Sequence, residues 1–290
     1  MFYLKVLVTG VGGQLGFDII NELRSKGIEF VGTDVGDLDI TSEVMVTDFV
    51  KKMSPSVVIH CAAYTAVDNA QDEKERCELV NAIASENFAK ACESVNAKLV
   101  YISTDYVFDG SGKKPFEVDA TPNPINVYGQ TKLDGENAVQ KYCSRTFVVR
   151  TSWVFGKNGT NFVKTMIKLS NERDKITVVD DQIGSPTYTK DLTALICDMI
   201  NTSKYGIYHA TNEGFCSFAE FATEIVKLNK SKARVIGIKS EEYKSKAQRP
   251  KNSRLSKKSL DEAGFSRLPP WQDALSRFFV EIKDEELIKQ

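Results

Sequence analysis

The 290-residue sequence lacks the features that mark several classes of protein. It has no apolar run near the ~20 residues that a membrane-spanning helix needs, and its first residues lack the long apolar stretch of a signal peptide. Neither sign of charge is in excess, since 38 basic residues face 39 acidic ones, so nothing global attracts nucleic acid or an anionic membrane. We therefore expect a cytoplasmic protein with no nucleic-acid partner and no membrane partner.

Potential metal ligands are also sparse. The only two histidines, His60 and His209, lie in apolar segments, where buried core histidines are expected. The six cysteines form no CxxC pair, so we expect reduced, mostly buried thiols rather than disulfides or metal ligands; they are Cys61, Cys77, Cys92, Cys143, Cys197 and Cys216. The apolar fraction of 42% is ordinary for a globular chain, and the length suggests about two domains.

The first half of the chain alternates short β-rich runs with longer helical patterns. Strands are predicted at residues 2–9, 28–34, 57–61, 99–103 and 146–151, and helices at 15–25, after Thr41, at 75–94 and at 126–142. Such alternation predicts an α/β fold with a doubly wound parallel sheet of the Rossmann type. The pattern becomes irregular after Trp153, with helices predicted at 161–171, 189–202, 218–228, 256–263 and 271–282 and strands at 176–179, 206–211 and 234–238.

This change of pattern suggests two domains. We assign residues 1–152, with a return of 187–209, to a dinucleotide-binding domain. Residues 153–186 and 210–290 then form a smaller, mostly C-terminal α/β domain that binds substrate. The stretch 227–258 holds 12 Lys or Arg residues against two Glu, which fits either a solvated surface or a site for an anionic substrate.

Three glycines follow the first predicted strand at intervals of three: Gly10, Gly13 and Gly16. Glycine permits a tight turn, close approach of a pyrophosphate and close packing of helix on strand. The helix that follows offers free N–H groups and a partial positive charge to phosphates. The position between first strand and first helix favours a dinucleotide site over a glycine-rich turn without a ligand.

Asp34 ends the second predicted strand, 24 residues after Gly10, close to the ~20 expected of a ribose-binding carboxylate. A carboxylate there accepts hydrogen bonds from the ribose hydroxyls and repels a 2′-phosphate. Since no Arg or Lys follows before Lys51, we expect NADH to be preferred, with NADPH as a possible cofactor. The alternative is that Asp34 is a plain turn residue.

Tyr128 and Lys132 lie four positions apart in a predicted helix, which places them on one face. An ammonium group beside a phenol favours the phenolate, so we expect Lys132 to lower the pKa of Tyr128. A tyrosine tuned in this way can donate a proton to a ketone that is being reduced. Thr104 follows the strand predicted at 99–103 and can bind the same carbonyl oxygen, because open α/β sheets bind ligands at the carboxyl ends of their strands.

These motifs resemble those of the extended short-chain dehydrogenase/reductases, and more narrowly those of the dTDP-4-dehydrorhamnose reductase family. The resemblance covers nearly the whole chain. It rests on Gly10-x-x-Gly13-Gln14-Leu15-Gly16, on Ala62-Ala63-Tyr64-Thr65-Ala66-Val67-Asp68, on Ser103-Thr104-Asp105-Tyr106-Val107-Phe108, on Asn126-Val127-Tyr128-Gly129-x-x-Lys132, on Arg150-Thr151-Ser152-Trp153 and on Arg249-Pro250-Lys251-Asn252-Ser253-Arg254-Leu255. It implies reduction of the 4-keto group of dTDP-4-dehydro-6-deoxy-L-mannose to dTDP-L-rhamnose by NAD(P)H.

The resemblance also implies roles for individual residues. Tyr128 would donate the proton, Lys132 would activate it and contact the nicotinamide ribose, and Thr104 would orient the substrate. The deoxysugar would face Thr104, Asp105 and Trp153, although Trp153 also fits a core aromatic residue. The cofactor would be bound by Gly10, Gly13, Gln14 and Leu15 at the pyrophosphate, by Asp34, Asp39 and Ile40 at the adenosine, and by Ala62, Ala63, Thr65, Tyr128 and Lys132 in its nicotinamide half.

The chain departs from the family pattern at several positions. Tyr64 stands where a histidine is usual. In some relatives a Mg²⁺ bridges a dimer through glutamates, whereas the matching positions here are Asp18 and Lys190, and a lysine cannot ligate a hard cation. We therefore expect no metal, and a monomer or weak homodimer. Asn81 fits either a support for the active-site backbone or a surface residue.

Two other functions stay open. One is a nucleotide-sugar epimerase of the same fold that keeps its cofactor bound. The other is a non-catalytic regulatory subunit of a methyl-donor synthetase, which resembles this same family. A dehydratase is disfavoured because Tyr106 stands where those relatives carry a second carboxylate after Asp105.

Overall fold

A six-stranded parallel sheet forms the centre of the molecule. The computed structural model describes the backbone of residues 4–288 and the side chains of residues 4–283. The strands in chain order are β1 (Lys5–Thr9), β2 (Glu29–Thr33), β3 (Val57–His60), β4 (Lys98–Thr104), β5 (Thr146–Thr151), β6 (Val154–Phe155), β7 (Lys175–Val179), β8 (Ile183–Gly184), β9 (Thr187–Tyr188), β10 (Gly206–His209), β11 (Asn212–Glu213), β12 (Cys216–Ser217), β13 (Arg234–Ile238) and β14 (Leu268–Pro270).

Helices cover both faces of this sheet. The α-helices in chain order are α1 (Gln14–Ser25), α2 (Glu43–Met53), α3 (Val67–Ala70), α4 (Lys74–Glu78), α5 (Ala84–Val95), α6 (Val127–Tyr142), α7 (Phe162–Glu172), α8 (Thr189–Ile200), α9 (Phe218–Leu228), α10 (Lys258–Ala263) and α11 (Trp271–Ile288). Within the described backbone no helix is both long and apolar enough to cross a membrane.

The strand order of the sheet is β10-β5-β4-β3-β1-β2. The chain runs outward from β1 to β2 and then crosses back to β3 on the other side of β1, so the order reverses between β1 and β3. Thr9 at the end of β1 is in register with His60 at the end of β3 and with Thr33 at the end of β2. In open α/β sheets this reversal opens a crevice for ligands at the carboxyl ends of the strands, so the loops after β1 and β3 lie where a ligand is expected.

Strand β1 shows why the sheet has two cores. Val6 and Val8 face one side and pack with residues of α1 and α8 such as Ile19 and Ile196, whereas Leu7 faces the other side with residues of α5 such as Phe88. Because successive side chains alternate between faces, a strand buried on both faces is apolar at every position. The continuous apolar run in the sequence indicated this arrangement.

A separate core forms in the later part of the chain. Phe155, Phe221 and Phe278 are buried together there, with ring centroids 5.5 to 5.8 Å from Phe155. Strands β7 and β13 pair in parallel beside this core, in a sheet of their own. Strand β10 joins the central sheet next to β5 although it lies late in the sequence.

Several local predictions need correction. The N-cap of α2 is Ser42, whose hydroxyl accepts from the Met45 amide, because the Thr41 hydroxyl is bonded to Asp39 instead. The helix predicted at residues 75–94 is interrupted by one turn of π-helix, Leu79–Ile83. Strand β1 begins at Lys5, and residues 2 and 3 of the predicted strand lie outside the described residues.

The histidines and cysteines lie as predicted. His60 and His209 are buried, and burial lowers the pKa of each to about 3, so both are neutral in the folded protein. All six cysteines are free thiols; five are buried and Cys61 is half-buried.

Candidate active site

The glycine loop after β1 is shaped by contacts that leave no room for side chains. Gly10 has a φ of +69°, and a Cβ on it would lie 2.7 Å from the Ala62 amide nitrogen. A Cβ on Gly16 would lie 2.3 Å from the Gly10 carbonyl oxygen. Gly13 is the N-cap of α1 and brings no capping side chain. The first turn of α1, with Gln14 and Leu15, is therefore a cradle of backbone N–H groups that suits a phosphate.

The predicted adenosine residues lie at the end of β2 and in the loop that follows. The Asp34 carboxylate accepts from the amides of Gly12 at 2.6 Å and Val35 at 2.8 Å. Asp39 is exposed, and hydrogen bonds from Thr41 lower its pKa. Asp34 thus contacts the glycine loop directly.

The segment after β3 holds the residues predicted at the nicotinamide. The Ala62 amide donates to the Thr9 hydroxyl at 3.2 Å. Asn81 is buried, accepts from the Tyr64 amide at 2.8 Å and donates to the Tyr64 carbonyl at 3.1 Å. Of the two readings of Asn81, the structure therefore shows the support for this backbone. Asn81 lies in the π-helical turn, a feature that often occurs at functional sites. Ala63 and Thr65 flank Tyr64, whose backbone Asn81 holds.

Tyr128 lies in the first turn of α6, at the carboxyl end of β4. The N-cap Asn126 accepts from the Gly129 amide at 2.8 Å and fixes this turn. The Tyr128 ring packs edge-on against Tyr106, with centroids 5.5 Å apart. Burial raises the pKa of Tyr128, and a hydrogen bond with Thr104 opposes this effect only in part. The expectation of a lowered pKa for Tyr128 is therefore wrong, and Tyr128 is a neutral phenol.

Lys132 lies one turn further along α6 and is 3% exposed. Its Nζ sits 4.1 Å from the centroid of the Tyr101 ring. Burial lowers the pKa of Lys132 to about 7, against an opposing attraction from Glu136. The ammonium and the amine are thus close in free energy near neutral pH.

A buried ion pair links helix α6 to strand β5. Arg150 on β5 donates to both carboxylate oxygens of Glu136, at 2.8 and 2.7 Å, and the Ser103 hydroxyl donates to the same carboxylate at 2.5 Å. Glu136 and Arg150 are 1% and 2% exposed. Sequence reasoning did not assign Glu136, although its place one turn after Lys132 on the same helix face was a signal for it.

The predicted substrate residues Thr104 and Asp105 are adjacent to Tyr128. The Thr104 hydroxyl donates to Asp105 Oδ1 at 3.0 Å. Asp105 is buried, which raises its pKa to about 6, while the neighbouring Ser253 and Thr104 hydroxyls act in the opposite direction. Its Oδ2 is buried and has no hydrogen-bond partner in the described part of the chain. Such an oxygen can accept a hydrogen bond from a sugar hydroxyl.

Trp153 follows β5 with a φ of +49°. Its ring stacks on Phe218, with centroids 3.7 Å apart, and it packs against the separate core that contains Phe155 and Phe221. A Cβ on Gly184 would lie 2.8 Å from the indole, so a glycine is needed there. Trp153 is half-buried, so it packs as a core aromatic and keeps part of its surface open; its contact with the deoxysugar stays a prediction.

The positions compared with the metal-bridged relatives have other partners. Asp18 accepts from the Thr189 hydroxyl at 2.5 Å, and Lys190 pairs with Glu281 at 2.7 Å. Across residues 4–283 no three His, Cys, Asp or Glu side chains converge as a metal site would require.

Much of the basic stretch 227–258 is paired with acidic side chains. Arg249 contacts Asp68 at 3.1 Å, and Lys251 contacts Asp181 at 3.1 Å. For these residues the structure favours a surface with local ion pairs over a site for an anion.

The sheet, the glycine loop beside Asp34, and the tyrosine–lysine helix next to Thr104 together define a nicotinamide-dependent oxidoreductase of the short-chain dehydrogenase/reductase class. The family model described as "RmlD substrate binding domain" matches residues 4–283. The chain belongs to this family.

Curated relatives and solved structures agree with this assignment. The chain is 40% identical over 275 residues to a dTDP-4-dehydrorhamnose reductase of Mycolicibacterium smegmatis, covering 93% of this chain and 84% of that one. It is 38% identical over 277 residues to the spore coat polysaccharide biosynthesis protein SpsK of Bacillus subtilis, covering 96% and 97%. The crystal structure of a dTDP-4-dehydrorhamnose reductase from Bacillus anthracis in complex with NADP is 45% identical, covers 97% of this chain and all of that one, and superposes with a TM-score of 0.94.

Proposed function

We propose that this chain reduces the 4-keto group of dTDP-4-dehydro-6-deoxy-L-mannose to give dTDP-L-rhamnose, with NAD(P)H as the reductant. The observation that carries the proposal is the position of Tyr128. Its neutral hydroxyl lies beside Thr104, one helical turn before the buried Lys132, at the carboxyl end of β4. Relatives that bear the name of this reductase at 34–40% identity over most of the chain support the substrate.

The residues around the crevice fit a dinucleotide. Glycine at positions 10 and 16 lets the loop pack closely, since a Cβ at either would collide with backbone, and the first N–H groups of α1 are then available to a pyrophosphate. When bound, a reduced nicotinamide supplies the hydride. In our proposal the pyrophosphate contacts Gly10, Gly13, Gln14 and Leu15. The adenosine contacts Asp34, Asp39 and Ile40, and the nicotinamide half contacts Ala62, Ala63, Thr65 and Lys132.

The proton then comes from Tyr128. As hydride adds to the carbonyl carbon, negative charge develops on the oxygen, and the Tyr128 O–H transfers its proton to that oxygen while the O–H bond of the phenol breaks. Thr104 orients the same oxygen. Protonated Lys132 stabilises the phenolate that remains, because it lies one turn further along the same helix face. Asp105 and Trp153 hold the deoxysugar, the first by hydrogen bonding and the second by its apolar surface.

We further propose that NADH is used better than NADPH. The support is Asp34, which would face the ribose of the adenosine and repel a 2′-phosphate; the residue after it, Val35, is uncharged and 93% exposed. The division into a cofactor domain of residues 1–152 with 187–209 and a substrate domain of the rest is part of the same proposal. A monomer or weak homodimer in the cytoplasm stays a prediction.

The test is a product assay with NADH and dTDP-4-dehydro-6-deoxy-L-mannose. We expect one NADH oxidised for each dTDP-L-rhamnose formed, over many turnovers. An isomerised sugar with a tightly retained cofactor and no net NADH oxidation would indicate the epimerase instead. Cofactor binding without turnover of any nucleotide sugar would indicate the regulatory subunit, and either result would overturn the proposal.

A further inference from the structure

A short segment from the later half of the chain lies against the glycine loop. This segment, residues 156–161, connects β6 to α7 and is called the strap below. The Asn158 side-chain amide donates to the Gly12 carbonyl at 2.7 Å. The Asn161 amide donates to the Gln14 side-chain oxygen at 2.9 Å. Both contacts join residues about 150 positions apart in sequence, so they link the substrate-side half of the chain to the first phosphate-binding turn.

The strap has a defined shape of its own. Asn161 caps α7 by accepting from the Lys164 amide at 3.0 Å, and it also donates to the Gly156 carbonyl at 2.8 Å. Lys164 Nζ donates to the Gly159 carbonyl at 2.9 Å, and Gly159 has a φ of +68°. Because these bonds lie within the strap and α7, the strap presents Asn158 to the glycine loop as a fixed donor.

The contact with Asn158 fixes one peptide group at both ends. The peptide between Gly12 and Gly13 donates its N–H to the Gly10 carbonyl at 3.0 Å, while its carbonyl oxygen accepts from Asn158. A carbonyl oxygen that is held in this way cannot turn toward an anion, whose negative charge it would repel. The next N–H groups, at the start of α1, then face the phosphate site without a reorganisation that would cost affinity.

We propose that Asn158, aided by Asn161, is a positioning residue for the dinucleotide and acts through the glycine loop from the other half of the chain. This inference rests on the proposed cofactor site. Asn158 sets the affinity for the dinucleotide, whereas the hydride and proton transfers occur at the carboxyl end of β4 and do not involve it.

The experiment compares Asn158→Ala with Thr160→Ala as a matched control. Thr160 is exposed on the same strap, and its side chain has no hydrogen bond within the described residues. NADH binding is titrated without sugar, kcat is measured at saturating NADH, and amide hydrogen exchange of residues 10–15 is followed in the free protein. For Asn158→Ala we expect a Kd for NADH about five- to tenfold higher, as for the loss of one hydrogen bond, a kcat within about twofold of wild type, and faster exchange in the glycine loop. Thr160→Ala should match wild type in all three.

Each other result overturns the inference. If wild type binds and oxidises NADH but the two variants have the same Kd, the strap does not position the loop and the reductase proposal stands. If kcat falls while the Kd and the loop exchange are unchanged, Asn158 acts elsewhere. If wild type binds neither NADH nor NADPH, this inference and the proposed function both fail.

Discussion

Replacing Glu136 by glutamine should destabilise the fold far more than the same substitution does at an exposed glutamate. The Glu136 carboxylate is the negatively charged partner of Arg150 and also accepts a hydrogen bond from Ser103. Both members of the ion pair are almost fully buried. Glu136→Gln keeps the shape of the side chain but leaves the Arg150 guanidinium as an uncompensated buried charge. Breaking a buried pair in this way costs ~3–5 kcal/mol, and glutamine still accepts one hydrogen bond, so we expect about 3 kcal/mol.

The assay is urea unfolding followed by circular dichroism, with the free energy of unfolding extrapolated to water. The control is Glu262→Gln, which removes an exposed pair with Lys258 at 3.4 Å and should change stability by less than ~0.5 kcal/mol. The double variant Glu136→Gln/Arg150→Met deletes both charges and should recover much of the loss, because no uncompensated buried charge remains. A loss below ~1 kcal/mol for Glu136→Gln, or a double variant less stable than the single one, would refute the reasoning.

Two further predictions concern the cofactor. Lys132→Met keeps the aliphatic stem and removes the charge, so kcat and NADH affinity should both fall. Because burial lowers the pKa of Lys132 to about 7, the ammonium loses its proton as the pH rises through 7, and wild-type activity should decline there. Lys132→Met should lack this decline. Overlapping wild-type and variant profiles of kcat against pH would contradict it. Asp34→Ala should narrow the preference for NADH by removing the ribose hydrogen bonds and the repulsion of a 2′-phosphate; a wild type that prefers NADPH tenfold or more in kcat/KM would contradict our interpretation of Asp34.

The sequence was most informative where structure depends on near neighbours. The apolar run at β1, the glycine spacing and the four-residue interval between Tyr128 and Lys132 each follow from local geometry, and the structure has the expected strand, turn and helix at these places. The proximity of Tyr128 to Thr104 was expected from topology, because a ligand site in an open α/β sheet lies at the carboxyl ends of the strands, where β4 ends at Thr104 and α6 begins.

Features that depend on distant contacts could not be predicted in this way. The pKa of Tyr128 was expected to fall, but it rises because the fold buries the phenol, and burial is set by the whole chain. The strap contacts the glycine loop through Asn158, which is 146 residues away from its partner Gly12. No sequence pattern in either segment predicts this contact. The π-helical turn that places Asn81 against Tyr64 depends on tertiary packing in the same way.

The central claim is that Tyr128 donates the proton in a ketone reduction. Tyr128→Phe removes only the hydroxyl, so the ring keeps its contact with Tyr106, and kcat for NADH oxidation with dTDP-4-dehydro-6-deoxy-L-mannose should fall about 10²–10⁴-fold. The Kd for NADH should stay within about threefold of wild type, since the cofactor is bound mainly by other residues. A kcat close to the wild-type value in Tyr128→Phe, with normal NADH binding, would contradict the account.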